Sequence, residues 1–176
     1  MQGGLRHPNV VKYETSFVDG RTLFIVMEMV EGASLQDHFN ALVEKKETMP
    51  EKRIWRIFVQ LCNGLHYMHR EQRVVHRDLS PSNVMLGWYD KVTIVDFGLS
   101  RQRNTGNTLM ESSVGTLSYS CPEIVTNKKY NEKADIWALG CLLYQLATLR
   151  PPFATSNMLA LAKRIVEGTY VVVFLQ

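Results

Sequence analysis

The sequence predicts a mixed α+β domain in which a small strand region comes first and helices make up most of the rest. Val10 to Phe17 and Leu23 to Met29 are two β-prone runs on either side of the turn pair Asp19-Gly20, which is typical of antiparallel strands. Apolar residues then recur at helical spacing after Pro50, and the stretch from Asp135 to Ala147 is apolar nearly all round. With 176 residues the chain is long enough to bury one real core.

Composition argues against several classes of protein. The formal net charge is +3 and the Lys and Arg residues are scattered, so the chain has no nucleic-acid footprint. There is no apolar signal region and no run of membrane-spanning length, so we expect an intracellular, cytoplasmic protein without membrane contact. The three cysteines, Cys62, Cys121 and Cys141, are odd in number and lack C-x-x-C spacing. Reduced thiols fit this pattern better than a disulfide frame or a zinc site.

The first long helix is predicted to begin at Pro50 and Glu51, because the fixed φ of proline suits a first helical turn. The apolar residues that recur at helical spacing after it are Ile54, Ile57, Phe58, Leu61, Leu65 and Met68. This pattern predicts a buried scaffold helix. His66 and His69 also lie in it, and a lone helical histidine is more often structural than catalytic, so neither is given a role.

The stretch from Val74 to Gly98 contains an H-R-D-L-x-x-x-N loop, a short apolar hairpin and a D-F-G. The run Val92 to Val95 is short and β-branched, so it predicts a strand that delivers Asp96 to the edge of a site, where Gly98 lets the chain turn sharply. An isolated D-F-G is most simply an ordinary turn at the end of a strand. The H-R-D-L-x-x-x-N in front of it favours a catalytic interpretation instead.

In order and spacing, these motifs resemble the catalytic core of eukaryotic protein kinases. The resemblance covers residues 5 to 170 and implies a protein-kinase-like fold: 1–27 as the end of the small lobe, 28–33 as the hinge and 34–176 as an incomplete large lobe. The Gly-rich loop, strand lysine and helix glutamate would precede Met1, and two last helices would follow, so the expected domain is truncated at both ends. E-G-A-S-L-Q-D-H-F, Q-L-C-N-G-L, S-Y-S-C-P-E and L-A-T-L-R-P-P-F look most like the NIMA-related kinases.

The resemblance also implies the catalytic residues. Asp78 is expected to accept the hydroxyl proton, and Asn83 and Asp96 are expected to bind Mg²⁺ through hard oxygen ligands. Ser80 stands where Ser/Thr kinases usually carry a lysine that touches the γ-phosphate, and a hydroxyl does not replace that charge. Arg77, directly before Asp78, is typical of kinases controlled by phosphorylation, because the arginine waits for an anionic partner.

The ATP-binding residues implied by the resemblance are Met27, Glu28, Val30, Ser34 and Met85. Met27 would be the gatekeeper and Met85 would lie beneath the adenine, while the backbones of Glu28 and Val30 would offer an acceptor and a donor to the adenine edge. Because backbone groups would make these contacts, the identity of the side chains at positions 28 and 30 says little about adenine binding. Without the resemblance, plain core packing explains Met27 and Met29 about as well.

The polar, hydroxyl-rich stretch Leu99 to Ser120 predicts a mobile surface loop. By resemblance it is the activation segment, which ends in C-P-E at Cys121 to Glu123. Ser112 matches the usual phosphosite and Ser113 is its rival, each modified by an upstream activating kinase or by self-phosphorylation. Glu123 would lack the arginine that normally pairs with it, and burying its charge without a partner would carry a penalty unless the segment stays open to water.

Asp135 is expected to hold the backbone of the catalytic loop, and a simple N-terminal helix cap is the alternative interpretation. After it, the stretch from Asn157 to Gly168 predicts a last amphipathic helix closed by the glycine. The apolar tail Val171 to Leu175 is β-prone and uncharged, which is typical of an aggregation-prone segment.

The function that the resemblance implies is transfer of the γ-phosphoryl of ATP, with Mg²⁺, to Ser or Thr of protein substrates. Thr116 matches the threonine of Ser/Thr kinases, while Leu117, where proline is common, leaves Tyr open as an acceptor. The truncated chain is expected to be weak or inactive. The alternative is a catalytically dead kinase fragment that acts as a protein-interaction module. Association with the centrosome or cilium is suggested by the family resemblance only.

Overall fold

The computed structural model describes residues 6–95 and 117–172, and its mixture of helices and small antiparallel sheets confirms the α+β class. The strands are β1 (Tyr13–Asp19), β2 (Thr22–Met27), β3 (Ala33–Ser34), β4 (Val84–Leu86) and β5 (Val92–Ile94). The α-helices are α1 (Leu35–Lys45), α2 (Glu51–His66), α3 (Pro122–Val125), α4 (Lys133–Thr148) and α5 (Met158–Glu167). Shorter turns of helix are a π turn (Tyr67–Glu71) and two 3₁₀ turns (Pro81–Asn83 and Trp88–Asp90).

β1 and β2 form the predicted antiparallel hairpin, with Phe17 opposite Phe24. Gly20 adopts φ +58° in the connecting turn, a left-handed conformation that glycine reaches without steric cost. Phe17 and Phe24 stack on each other, with ring centroids 5.1 Å apart, and both are exposed. The hairpin therefore presents an apolar face to solvent in the described part of the chain.

The first strand begins later than predicted, because the residues before it bond to a different sheet. The N–H of Val11 donates to the carbonyl oxygen of Ile94, and the N–H of Ile94 donates to that of Asn9, each at 2.9 Å. Val10 forms a parallel bridge with Ile94 and is buried. The expected strand from Val10 is therefore corrected: its first residues extend the edge of β5.

β3, β4 and β5 form a second antiparallel sheet in that order. The predicted strand Val92 to Val95 is present as Val92–Ile94, and its three side chains are buried. β4 precedes it and pairs Val84 with Ile94. This sheet carries the residues that flank the catalytic loop.

α1 was not predicted. Ser34 caps its N-terminus: the hydroxyl accepts the N–H of Asp37, and the Asp37 carboxylate accepts the N–H of Ser34, each at 3.1 Å. This capping box fixes where the helix begins. α2 begins at Glu51 directly after Pro50, as predicted, and the chain continues past His66 into the π turn.

α4 runs through the core, where Leu142 and Leu146 are fully buried against α2 and its neighbours. Its opposite side is open in the described residues: Trp137 and Tyr144 line a groove of about 530 Å³ together with Phe153. α5 packs on the core through buried leucine and isoleucine side chains and ends at Gly168, φ +66°, as predicted. Within residues 6–95 and 117–172, none of the helices has the length and apolar character needed to cross a bilayer.

Candidate active site

Asp135 fixes the backbone of the catalytic loop. It is the third residue of α4 and is only 1% exposed. Its Oδ1 accepts the N–H of Arg77 at 2.9 Å, and its Oδ2 accepts the N–H of His76 at 2.8 Å and contacts His69 Nε2 at 2.7 Å. Three donors converge on one buried carboxylate, which satisfies the charge and fixes the loop.

The alternative interpretation of Asp135 as a helix cap is wrong. The N-cap position of α4 is Glu132, and the Asp135 oxygens bond to the catalytic loop and to His69, not to the N–H groups that begin the helix. The carboxylate therefore stabilises a tertiary contact across 58 and 59 residues of sequence.

Arg77 adopts φ +72°, a left-handed conformation that is unfavourable for a residue with a side chain. The bond from its N–H to Asp135 holds the backbone in that state. The Arg77 residue is exposed, so an anion can reach its guanidinium group. Strain of this kind persists only where the surrounding contacts over-determine it, and it is common at functional sites.

His76 links the catalytic loop to the strand that leads into D-F-G. The imidazole is fully buried, and its Nδ1 accepts the N–H of Asp78 at 3.2 Å. The ring proton is therefore on Nε2, which donates to the carbonyl oxygen of Val95 at 3.0 Å. The N–H of Val95 donates in turn to the carbonyl oxygen of Asn83, also at 3.0 Å. Both backbone groups of the residue before Asp96 are thus bonded to the catalytic loop.

Asn83 and Asp78 are brought together directly. The Asn83 side-chain NH₂ group donates to the backbone carbonyl oxygen of Asp78 at 2.8 Å. This bond uses the nitrogen of the amide and leaves its oxygen as an acceptor. Neither that oxygen nor the half-buried Asp78 carboxylate takes part in a hydrogen bond with another described residue. The loop therefore leaves two oxygen groups without described partners: the amide oxygen of Asn83, of the hard type that Mg²⁺ prefers, and the carboxylate of Asp78.

The remaining predicted catalytic and regulatory residues, Asp96, Thr116, Ser112 and Ser113, lie outside the described residues. Within the described ranges no group of His, Cys, Asp and Glu side chains could hold a metal ion by itself. A divalent ion at the catalytic loop would thus depend on Asn83 and on at least one ligand from elsewhere. The amide oxygen of Asn83 is of the type that Mg²⁺ binds.

The predicted adenine edge is left open. The N–H of Glu28 donates to the carbonyl oxygen of Lys12, and the Glu28 carboxylate accepts the N–H of Lys12, each at 2.9 Å. In the described part of the chain, the carbonyl oxygen of Glu28 and the N–H of Val30 bond to no other backbone group. An acceptor and a donor therefore remain available there, as an adenine edge requires.

Ser34 and Met85 are paired neighbours on β3 and β4, and both are half-buried, as is Met27. The Ser34 hydroxyl donates its proton to the Asp37 carboxylate at 2.5 Å. Toward a nucleotide hydroxyl, the Ser34 oxygen could therefore act only as a hydrogen-bond acceptor. Met29 is 89% exposed, so core packing is the wrong explanation for that residue.

Ser80 is 8% exposed, and its carbonyl oxygen accepts the N–H of Asn83 at 3.0 Å. The loop thus buries a short hydroxyl where kinases commonly place a lysine. No cation reaches toward a phosphate from this position.

The sequence analysis missed the contact between His69 and Asp135, in which the ring nitrogen shares the Oδ2 atom with the backbone N–H of His76. It lies within the π turn, seven residues before His76, and that turn breaks the helical register. Periodicity therefore gave no sign of the contact. A second missed contact is the hydrogen bond from the Tyr119 hydroxyl to Gln145 of α4, which is buried. Burial raises the pKa of the Tyr119 hydroxyl above its ordinary value.

Of the two cases expected for Glu123, the structure shows the one in which the segment stays open to water. The side chain is exposed, because it sits in the first turn of the short helix α3 at the surface. A hydrogen bond from its own backbone N–H, and then one from the Cys121 thiol, hold the pKa of the Glu123 carboxyl below its usual value. Its charge therefore stays in water and carries no burial penalty.

Comparison with known proteins shows which family the chain belongs to. The family model described as protein kinase domain matches residues 1–174, so the chain belongs to the protein kinase family. Its relatives include the serine/threonine-protein kinase Nek10 of Mus musculus, 55% identical over 166 residues, and that of Homo sapiens, 54% identical over 166 residues. Each alignment covers 94% of this chain, but 15% of the mouse relative and 14% of the human one.

More distant relatives point the same way. Serine/threonine-protein kinase D1044.8 of Caenorhabditis elegans is 48% identical over 166 residues, covering 94% of this chain and 17% of the relative. The prediction of a kinase domain of the NIMA-related family is confirmed by these similarities. The chain spans about a sixth of the length of these relatives.

Proposed function

We propose that this chain is the catalytic region of a NIMA-related protein kinase that transfers the γ-phosphoryl group of ATP to Ser or Thr hydroxyls of protein substrates. The observation that carries the proposal is the convergence of His76, Arg77 and His69 on Asp135. That clamp preorganises the loop bearing Asp78 and Asn83, and phosphoryl transfer asks mainly for such positioning.

Each proposed role follows from the chemistry of the side chain. ATP bound with Mg²⁺ would supply the electrophilic phosphorus and neutralise its charge. Asp78, whose carboxylate is free of described partners, would orient the substrate hydroxyl and accept its proton. Asn83, with Asp96, would hold the metal, and Thr116 would favour Ser and Thr over Tyr as acceptors.

The proposed nucleotide pocket lies between the hinge, residues 28–33, and the paired Ser34 and Met85. The open carbonyl of Glu28 and the open N–H of Val30 support it. Residues 1–27 would then belong to the small lobe and 34–176 to the large lobe. Binding of a fluorescent ATP analogue to the full chain, with and without Mg²⁺, tests this pocket: saturable Mg²⁺-dependent binding is expected, and its absence contradicts the assignment.

Transfer by this chain alone is expected to be weak. The printed sequence holds no G-x-G-x-x-G, and Ser80 replaces the lysine of the catalytic loop. Each missing preorganised charge contact commonly costs about 10² or more in rate. The alternative, a catalytically inactive module that binds a regulator, is favoured by the same buried Ser80. Turnover by the full chain at the rate of an intact kinase would exclude both the weak activity and that alternative.

Regulation is proposed to act through Ser112. A phosphate there would give the exposed guanidinium of Arg77 an anionic partner and order the segment between them. Ser113→Ala is the matched control, since it removes the adjacent hydroxyl. With transfer measured in a fusion that supplies a small lobe, Ser112→Ala is expected to lower activity and Ser113→Ala to leave it unchanged. Equal activity of the two variants would refute the assignment.

A further inference from the structure

A second cleft, lined in part by His69, lies between the end of α2 and the start of α4. Its volume is about 400 Å³. Cations line its rim and apolar side chains its floor, namely Arg70, Arg73 and Lys133, and Leu65, Val74 and Leu139. We call it the α2–α4 cleft. It is separate from the region of Asp78, which lines a different and smaller cavity.

The three cations of the cleft are not neutralised by the described protein. None of the ion pairs between described residues involves Arg70, Arg73 or Lys133, and their side chains donate no hydrogen bond to a described residue. Among the described residues that line the cleft, Glu132 is the one acidic side chain. The cleft therefore has a surplus of about two positive charges with no described partner, a potential that attracts an anion.

An unusual backbone places these cations. The π turn Tyr67–Glu71 extends α2, and the N–H of Val74 then donates to the carbonyl oxygen of Met68 at 2.8 Å. Between them Arg73 adopts φ +56°, a left-handed conformation that favours Gly or Asn over Arg. π turns and strained residues both recur at functional sites.

From these observations we propose that the α2–α4 cleft binds a phosphorylated Ser or Thr within a protein segment that has apolar neighbours. A phosphate monoester carries about −1.5 to −2 charges, which matches the surplus in the cleft. The planar guanidinium groups of Arg70 and Arg73 can each bond two phosphate oxygens, and Lys133 adds a point charge. Leu65, Val74 and Leu139 would take up an apolar side chain next to the phosphoresidue.

The residues that line the cleft argue against a nucleic acid as its ligand. No aromatic side chain other than imidazole lines the cleft among the described residues, so bases would find no ring on which to stack. The cations are confined to one small concavity, whereas a nucleic-acid backbone needs an extended basic track. A phosphate on a protein segment fits both the charge and the size.

The test uses the full chain, kept in solution by a carrier protein fused after Gln176. The probe is a fluorescein-labelled peptide library with phosphoserine at the centre and Leu, Ile or Val on either side, compared with the same library carrying serine. Fluorescence anisotropy measures binding. The test variant is Arg70→Gln with Arg73→Asn, in which asparagine accepts the left-handed backbone while the charge is lost.

A matched control exists at the end of α1. Lys45 lies in the last turn of that helix and Lys46 follows with φ +56°, so Lys45→Gln with Lys46→Asn removes two positive charges elsewhere, one of them from a left-handed residue like Arg73. We expect the phosphorylated library to bind at least about tenfold more tightly than the serine library, since charge-assisted bonds are lost without the phosphate. The Arg70/Arg73 variant should lose that advantage and the Lys45/Lys46 variant should keep it.

Three results would overturn the proposal. The two libraries could bind equally, or the Lys45/Lys46 variant could lose as much affinity as the Arg70/Arg73 variant. Alternatively, inorganic phosphate could displace the peptide at concentrations no higher than those of the phosphopeptide itself, which would mean that the cleft binds a free anion without recognising the segment. Circular dichroism of both variants shows that any loss of binding is not a loss of fold.

Discussion

Replacing Asp135 with alanine removes one carboxylate that accepts hydrogen bonds from three groups at once. The backbone N–H of His76 and that of Arg77 would lose their acceptor, and so would the ring nitrogen of His69. Asp135 is 1% exposed, so water does not readily replace the lost acceptor. The left-handed backbone of Arg77 would lose the contact that holds it.

The expected cost follows from these contacts. Hydrogen bonds to a charged group contribute about 1.5 to 3 kcal/mol each, and breaking a buried charged network by removing one partner costs about 3 to 5 kcal/mol. A domain of this kind has a free energy of unfolding of about 5 to 15 kcal/mol. Asp135→Ala should therefore remove at least about a fifth of the stability, and most of it where the unfolding free energy lies near the lower end of that range.

A matched control is Asp37→Ala, because Asp37 is likewise the third residue of a helix but is exposed and bonds only to Ser34. Loss of that exposed capping contact should cost much less than loss of the buried contacts of Asp135. Urea unfolding of both variants, followed by far-ultraviolet circular dichroism, gives the two free energies if the slopes agree. A loss in Asp135→Ala no greater than that in Asp37→Ala would refute the reasoning that the carboxylate holds the loop.

Three further predictions concern titratable groups. The Ser34 hydroxyl holds the pKa of the Asp37 carboxyl below its ordinary 3.8, so Ser34→Ala should raise the pKa of Asp37 in an NMR titration. The capping contact should stabilise α1 at neutral pH and be lost as the pH falls through the lowered pKa. Burial lowers the pKa of His38 from 6.5, so the unfolded chain takes up the proton more readily and unfolding should become easier on acidification below 6.5; His38→Gln should flatten that dependence in urea midpoints. Burial raises the pKa of Cys141 to about 12, so iodoacetamide should label half-buried Cys62 first, and equal rates would contradict the burial.

Signals within a few residues predicted the elements best. Pro50 gave the start of α2 and Gly168 the end of α5, because each imposes its backbone preference locally. The turn at Gly20 followed from the same physics. Ser34 and Asp37 form a capping box that marks the start of α1 by the same local physics, although the sequence analysis did not predict this helix.

Contacts between distant parts of the chain were harder to predict. Resemblance, not spacing, indicated that Asp135 supports the catalytic loop, and nothing in the sequence indicated that His69 shares that carboxylate 66 residues away. The π turn shifts the register just before the loop, so a pattern of 3.6 residues could not place His69. Whether Glu123 is buried could not be predicted, because burial depends on which elements pack over a short helix, and local sequence carries no such information.

The central claim is that the loop held by Asp135 is a phosphoryl-transfer site with Asp78 as the proton acceptor. The most direct measurement is transfer of labelled γ-phosphate from ATP to casein by this chain fused at Met1 to the segment that precedes the matched region in mouse Nek10. The account predicts Mg²⁺-dependent transfer that Asp78→Asn lowers by about 10² or more while ATP binding persists. Transfer by Asp78→Asn at the unmodified rate would contradict it, and so would a folded fusion that binds ATP with Mg²⁺ and transfers nothing.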